Sequence, residues 1–267
     1  MEEFYTTAIE AAKKAGRLVQ SKSRDFREVN YKGRADMVTE VDRESERMIV
    51  DLLTERYPDH GVIAEEADYQ KSDHSHQWII DPLDGTTNYV HGYRHYAISI
   101  ALRIGDELTV GVVYDPGNDE LYSAKKGGGA FLNDDPISVS ETSSLSNSLL
   151  STGIPYKISE VWYRSFDLFK AFYMRTHGVR RDGSAALDLA YVGAGRLDGF
   201  WEYDLNPWDV SAGMLIVQEA GGLTRDFHGD PSSIFDKEIL AVNNSEMLDQ
   251  ILQIIQSYPG YSTKKNE

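Results

Sequence analysis

The stretch Trp78-Ile79-Ile80-Asp81-Pro82-Leu83-Asp84-Gly85-Thr86-Thr87-Asn88 narrows the folds open to this chain more than any other. An apolar run enters two carboxylates three residues apart, followed by a glycine and two hydroxyls. Trp78 to Ile80 reads as a short buried strand stopped by Pro82, since proline has no N–H to give to a sheet. Layered α/β proteins collect ligands at the carboxyl ends of such strands. Two acidic side chains packed there are costly unless a cation neutralises them. A hard divalent ion such as Mg²⁺ meets that need, because it takes oxygen ligands and keeps waters for a substrate to displace. Gly85-Thr86-Thr87 offers backbone N–H groups and hydroxyls suited to a phosphate. The segment therefore predicts a metal-dependent phosphate site.

With 267 residues, 41% of them hydrophobic and 26% charged, the chain can bury a full core as one large domain or two intimately packed halves. A formal net charge of −16 argues against a nucleic-acid partner, because phosphate backbones are met by basic faces. Most of that acidity reads as solubility, with a minority of carboxylates left over as metal ligands. The absence of cysteine excludes disulfides, zinc–thiolate sites and cysteine nucleophiles. Met1-Glu2-Glu3 begins no apolar signal region, and stretches such as Tyr96–Leu102 are too short to span a bilayer. The expectation is a soluble cytoplasmic protein with no membrane partner.

Periodicity organises the rest. Phe4, Ala8, Ile9, Ala12, Ala15 and Val19 predict a helix over 3–21, and Ile49, Leu52 and Leu53 a second over about 40–57 that ends at Pro58. Thr39, three residues before Asp42, resembles a helix-capping arrangement. Strands are expected at 62–64 and 78–80. Ala97–Ile104 and Leu108–Tyr114 flank Gly105-Asp106-Glu107 as a hairpin. Further short strands are expected near 120–124, 129–132, 137–140 and 148–152. Beyond Pro155, helices are expected at 159–176, 184–194, 209–220 (closed by Gly221-Gly222) and 246–257, with strands at 199–203, 223–227 and 239–242. The shift from strand-rich to alternating sequence near 145–155 divides a single domain into an N-terminal half (about 1–148) and a C-terminal half (about 149–258). Residues 259–267 read as a frayed tail.

Two more acidic segments stand out. Gly61-Val62-Ile63-Ala64-Glu65-Glu66 ends an apolar strand in paired carboxylates, and Asn206-Pro207-Trp208-Asp209-Val210-Ser211 puts Asp209 in the first turn of a helix. Taken singly, Glu65-Glu66 reads as a solvated strand end and Asp209 as a charge set against a helix dipole. Taken with the first segment, they match the roughly four carboxylates from separate segments that a two-metal phosphate site needs. Other designs fit less well. The Asp81-x-x-Asp84 spacing is one residue too long for the Asp-x-Asp motif of an aspartyl-phosphate enzyme. Neither a nucleotide-binding P-loop nor a Gly-x-Ser-x-Gly elbow is present; Gly183-Ser184-Ala185 lacks the closing glycine. His91 and His95 are four apart around Gly92 and read as solvent residues or as supports behind the ligands, with zinc disfavoured.

These segments together resemble the inositol monophosphatase family of Mg²⁺-dependent, lithium-sensitive phosphatases. The resemblance rests on Asp81-Pro82-Leu83-Asp84-Gly85-Thr86-Thr87-Asn88, Ala64-Glu65-Glu66 and Trp208-Asp209-Val210-Ser211-Ala212-Gly213, and runs from the first helix to about residue 255. It implies a layered α-β-α-β-α sandwich, usually a homodimer. It also implies two or three Mg²⁺ ions on Glu65, Asp81, the backbone carbonyl of Leu83, Asp84 and Asp209. Gly85 and Thr86 would bind the phosphate, and Thr86 with Asp42, which closes the segment Asp36–Asp42, would orient or activate the attacking water. Gly183, Ser184, Ala185, Glu202 and Asp209 would receive the alcohol part of the substrate. Alanine at 64 and serine at 211 replace the family's usual glycine and alanine; neither is a ligand. Arg180-Arg181-Asp182 reads either as a surface ion-pair cluster or as a basic spot for a second phosphate. The implied activity is hydrolysis of inositol 1-phosphate. NADP(H), fructose 1,6-bisphosphate and 3′-phosphoadenosine 5′-phosphate are rival substrates, and a regulatory protein bound to the transcription machinery is the rival of another class.

Overall fold

Small residues at helix spacing build the outermost layer. Ala8, Ala11, Ala12, Ala15 and Val19 form the buried stripe of α1 (Glu2–Lys22), which meets Ile49, Leu52 and Leu53 of α2 (Glu40–Arg56). This computed structural model describes residues 1–23, 29–31, 37–66 and 75–258, with the backbone alone at 29–31 and 37–39. The expected tail at 259–267, Asp36, His74 and the capping role of the Thr39 side chain lie outside the described residues.

A small antiparallel pair, β1 (Val29–Tyr31) and β2 (Met37–Thr39), precedes α2. Seven strands then follow in sheet order: β3 (Gly61–Ala64), β4 (His76–Asp84), β5 (Ala97–Ile104), β6 (Glu107–Asp115), β7 (Glu120–Lys125), β8 (Gly129–Leu132) and β9 (Asp135–Ile137). The β3–β4 pair is parallel and the others antiparallel. A one-turn helix, α3 (Thr86–Val90), follows β4. The second sheet comprises β10 (Leu149–Thr152), β11 (Gly178–Arg180), β12 (Gly199–Tyr203), β13 (Leu223–Arg225) and β14 (Glu238–Val242), in the order β11-β10-β12-β14-β13. Its helices are α4 (Glu160–Tyr173), α5 (Ala185–Gly193), α6 (Pro207–Glu219) and α7 (Ser245–Ser257).

Alternation along the strands sorts the side chains into layers. Ile98, Ile100 and Leu102 of β5 join the α1/α2 cluster, while Ala97 and Ala101 face the opposite cluster built by α5 and α6. Phe200 of β12 enters that middle layer, whereas Trp201 and Tyr203 pack with Leu168 and Phe172 of α4 and with Met247, Ile251 and Ile255 of α7. The result is the expected α-β-α-β-α sandwich. No described helix is long and apolar enough to cross a membrane.

Several boundaries differ from the sequence expectations. β4 does not stop at Pro82 but runs to Asp84, because proline occupies an irregularity where no ladder N–H is required. The strand expected at 137–140 lies at 135–137; Val139 gives its N–H to Ala220 O, at the end of α6, rather than to a neighbouring strand. The helix expected to reach 176 ends at Tyr173, where the Arg175 N–H turns back to Phe172 O. The strand expected over 223–227 ends at Arg225. Strand β11 and helix α3, three and five residues long, are too short to show a period in the sequence.

Candidate active site

Asp81 and Asp84 owe their common direction to one extra residue. In a regular strand, side chains three apart point to opposite faces. Here Asp81 pairs with Ser99 and Asp84 with Ala97, so three steps on β4 face two on β5. This bulge puts both carboxylates on the Ala97 face, toward α5 and α6. The Ser45 hydroxyl of α2 donates to Pro82 O (2.8 Å), and the Leu83 N–H donates to Asp81 Oδ1 (3.0 Å). Gly85 then turns the chain with φ 89°; a Cβ there would meet His95 O at 2.9 Å and Gly183 O at 3.2 Å. Glycine is required for both the turn and the close approach.

The Thr86 hydroxyl lies 2.8 Å from Asp42 Oδ1 and 3.0 Å from Leu83 O, with either oxygen able to accept its single proton. Asp42 sits in the first turn of α2 and is 1% exposed. Tyr89 of α3 donates to Val19 O (2.7 Å), fastening this turn to α1.

Helix α5 grips Asp84 from the other side. The Ser184 hydroxyl and the Ala186 N–H both donate to Asp84 Oδ2, at 2.6 and 2.8 Å. Asn88 Nδ2 donates to His95 O (2.7 Å) and Asp182 O (2.6 Å), joining the β4 turn to the segment before α5. Helix α6 presents Asp209 as its third residue, where Asp209 Oδ2 accepts from the Asn206 N–H (2.6 Å) in a capping box. Asp209 is thus an acid in the first turn of a helix that also borders the cleft.

Glu65, Asp81, Leu83, Asp84, Gly85, Thr86, Gly183, Ser184, Ala185, Glu202 and Asp209 line one cleft of about 380 Å³; Asp42 stands behind Thr86. The cleft thus gathers residues from β3's end to α6. Glu66 is held elsewhere by its backbone N–H, which donates to Glu46 Oε2 (2.7 Å). The rim adds Lys157 and Arg181, the only cations among the described lining residues. Arg181 Nη2 lies 3.4 Å from Ile154 O. Sequence reasoning had picked out Arg181 but not Lys157, nor the grip of α5 on Asp84. The grip leaves no local mark in the sequence, since Ser184 and Ala186 lie 100 and 102 positions from Asp84.

Burial and mutual repulsion make the cleft's carboxylates costly to ionise together. Burial, with the charges of Glu65, Asp84 and Asp209, raises the Asp81 carboxyl well above its usual range. Desolvation also raises Asp84, against the donors Ser184 and Ala186. Asp209 is pushed up to about 7, first by desolvation and then by Asp84. Glu202 is raised well above its ordinary value by desolvation and by Asp188 and Asp209. An all-oxygen set whose members repel one another fits Mg²⁺, which removes the repulsion that otherwise demands protons.

The histidines separate. His91 is exposed, whereas His95 is buried, with Nε2 3.5 Å from Asp188 Oδ1. Among the described residues, the trio whose ligand atoms all lie within 4.8 Å of one another is His95, Asp182 and Asp188, beside the expected ligands and distinct from them.

Fold and site define a layered α/β protein with an acidic, oxygen-lined cleft beside a glycine–threonine turn. The chain belongs to the inositol monophosphatase family, whose model matches residues 1–259. It is 42% identical over 246 residues to the Nus factor SuhB of Escherichia coli (strain K12), covering 91% of this chain and 92% of that protein. An IMPase from Thermotoga maritima superposes with a TM-score of 0.88 at 38% identity, over 96% of this chain and 97% of the other. SaIMPase-II, solved with inositol monophosphate bound, gives 0.79 at 30% identity, over 96% and 93%.

Proposed function

We propose that this protein is a Mg²⁺-dependent phosphomonoester hydrolase with inositol 1-phosphate as its substrate. The observation that carries the reading is the meeting of Glu65, Asp81, Asp84 and Asp209 in one cleft, beside a Thr86 hydroxyl already bonded to Asp42. Glu65, Asp81, the Leu83 carbonyl, Asp84 and Asp209 would hold two or three Mg²⁺ ions. When bound, Mg²⁺ supplies charge to the phosphoryl oxygens and the leaving oxygen and lowers the pKa of water. The chain's own residues do the positioning. Gly85 and Thr86 seat the phosphate. Thr86 Oγ1 passes its proton to Asp42 Oδ1 and accepts one from the water that attacks phosphorus in line. Glu202 accepts a hydroxyl of the alcohol, and Gly183, Ser184 and Ala185 form the wall against it. No side chain need serve as a strong acid, and much of the acceleration is preorganised electrostatics.

In this reading residues 1–258 act as one domain. The half before residue 149 supplies most metal ligands, and the half after it supplies Asp209 and the alcohol-binding residues. Inositol monophosphate in SaIMPase-II supports the substrate choice. Exposed Ile158, Tyr163, Phe166, Tyr173 and Met174 on and beside α4 support a homodimer that covers them. The setting is the cytoplasm, where Mg²⁺ and sugar phosphates are available.

Phosphate release with Mg²⁺ from inositol 1-phosphate, NADP(H), fructose 1,6-bisphosphate and 3′-phosphoadenosine 5′-phosphate tests the substrate. Preference for one of the other three overturns the inositol assignment but keeps the hydrolase. Asp84→Asn is expected to lose about 10³-fold in kcat, on the scale of removing a preorganised charged group, while its circular dichroism is unchanged. Undiminished turnover in that variant removes Asp84 from the metal set. The second reading, a regulatory protein on the transcription machinery, is favoured by relatives named Nus factor SuhB. Recovery of RNA polymerase with the protein, and cellular function surviving Asp84→Asn, would support it.

A further inference from the structure

Behind the α5 wall of the cleft, His95, Asp182 and Asp188 bring a ring nitrogen and two carboxylate oxygens within 4.8 Å of one another. None belongs to the ligand set described above. His95 lies two residues before β5, Asp182 in the turn ahead of α5, and Asp188 in the first turn of α5. Asp188 is 1% exposed and is paired with the His95 ring, Nε2 to Oδ1 at 3.5 Å, a contact too loose to give either carboxylate oxygen or Nε2 a hydrogen bond of ordinary geometry. A buried carboxylate left in that state carries a large desolvation cost.

The spacing says what would relieve it. Nε2 stands 3.5 Å from Asp188 Oδ1, longer than an N–H···O bond of about 2.7–3.2 Å. Two ligands each about 2.0–2.1 Å from a tetrahedral ion lie roughly 3.3 Å apart. The gap therefore matches the edge of a coordination polyhedron better than a hydrogen bond. Asp182, half-buried, supplies the third donor from the solvent side, where the Tyr93 hydroxyl donates to its Oδ1 (3.4 Å). Asp84 adds a further negative charge nearby. An imidazole with two carboxylates favours Mn²⁺, Co²⁺ or Zn²⁺, whereas Mg²⁺ prefers the oxygen-only cleft.

We propose that His95, Asp182 and Asp188 form a second, separate metal site for a divalent transition-metal ion. Such an ion ties the segment before β5 to α5, the helix that holds Asp84 through Ser184 and Ala186. The proposal does not rest on the phosphatase reading, and its test needs no turnover.

The whole chain is dialysed against Co²⁺ in saturating Mg²⁺, which occupies the oxygen cleft, and cobalt is located in crystals by anomalous scattering. One Co²⁺ per chain beside His95 is expected. Affinity should fall at least about tenfold in Asp182→Asn, whose half-exposed position spares the fold, and binding should vanish in His95→Gln. Two results overturn the proposal. If wild type takes up no Co²⁺ at His95, the gap holds only an imidazolium facing Asp188. If uptake is equal in wild type and both variants, the cobalt sits in the oxygen cleft instead.

Discussion

Gly153 follows β10, and a Cβ built on it would overlap Oε1, Cδ and Oε2 of Glu202. Atoms in ordinary contact keep roughly 3.5 Å, so Gly153→Ala requires the carboxylate to move on the order of 1–2 Å. The backbone cannot give way as easily: the adjoining Thr152 hydroxyl is tied to Trp201 O at 2.7 Å. The flexible end of Glu202 yields instead, and it leaves the position from which it would accept a substrate hydroxyl. A hydrogen bond to a charged group contributes about 1.5–3 kcal/mol, which corresponds to a loss of about 10- to 150-fold in kcat/KM. Steady-state kinetics on inositol 1-phosphate should show that loss, while p-nitrophenyl phosphate, which lacks the hydroxyls, should lose less than about threefold. In a Glu202→Ala background the alanine at 153 should add nothing, because its effect passes through Glu202. Equal losses on both substrates, or losses that add across the two sites, would refute the reasoning.

Thr86→Ala removes the hydroxyl that links the cleft to Asp42 and should lower kcat by about 10²-fold or more with KM nearly unchanged; a rise in KM alone contradicts the proton-relay role. Without Mg²⁺ the cleft acids should make the fold less stable as pH rises. Their carboxyls are raised, Asp209 to about 7, so the folded chain holds protons more tightly than the unfolded chain. For Asp209 the stabilisation is complete below about pH 4 and is lost as pH rises through about 7. Mg²⁺ replaces those protons, so its melting-temperature increment should be larger at pH 8 than at pH 5; equal increments would count against the acid cage. Phe166→Glu puts a charge in the middle of the exposed face of α4 and should convert the proposed homodimer to monomer in sedimentation; a dimer mass that is unchanged would move the interface elsewhere.

The acid-rich turn after β4 was legible because its parts are contiguous: an apolar strand, two carboxylates, a glycine and a threonine carry their chemistry within eleven residues. The amphipathic helices α1, α2 and α7 were legible for the same kind of reason, since a buried stripe repeats every three to four positions. The end of β4 was misread because proline ordinarily breaks a strand, and only pairing with β5 shows that a bulge accommodates it. The sequence left His95 open, with His91, between a solvent residue and a support behind the ligands, and its burial decides for the second. Its partner Asp188 lies 93 positions away, and no local pattern announces a contact of that span.

Which residue types this chain offers for metal and phosphate, and roughly which helices and strands bear them, follow from the order of amino acids alone, because propensity and periodicity act over a few neighbours. That Asp84 is clasped by Ser184 and Ala186, that Asp209 faces Asp81, and that Asp188 is buried against His95 were decided only when the two sheets closed over α5 and α6. Those contacts join segments about 90 to 130 positions apart, and packing of the middle apolar layer, rather than any local preference, brings them together.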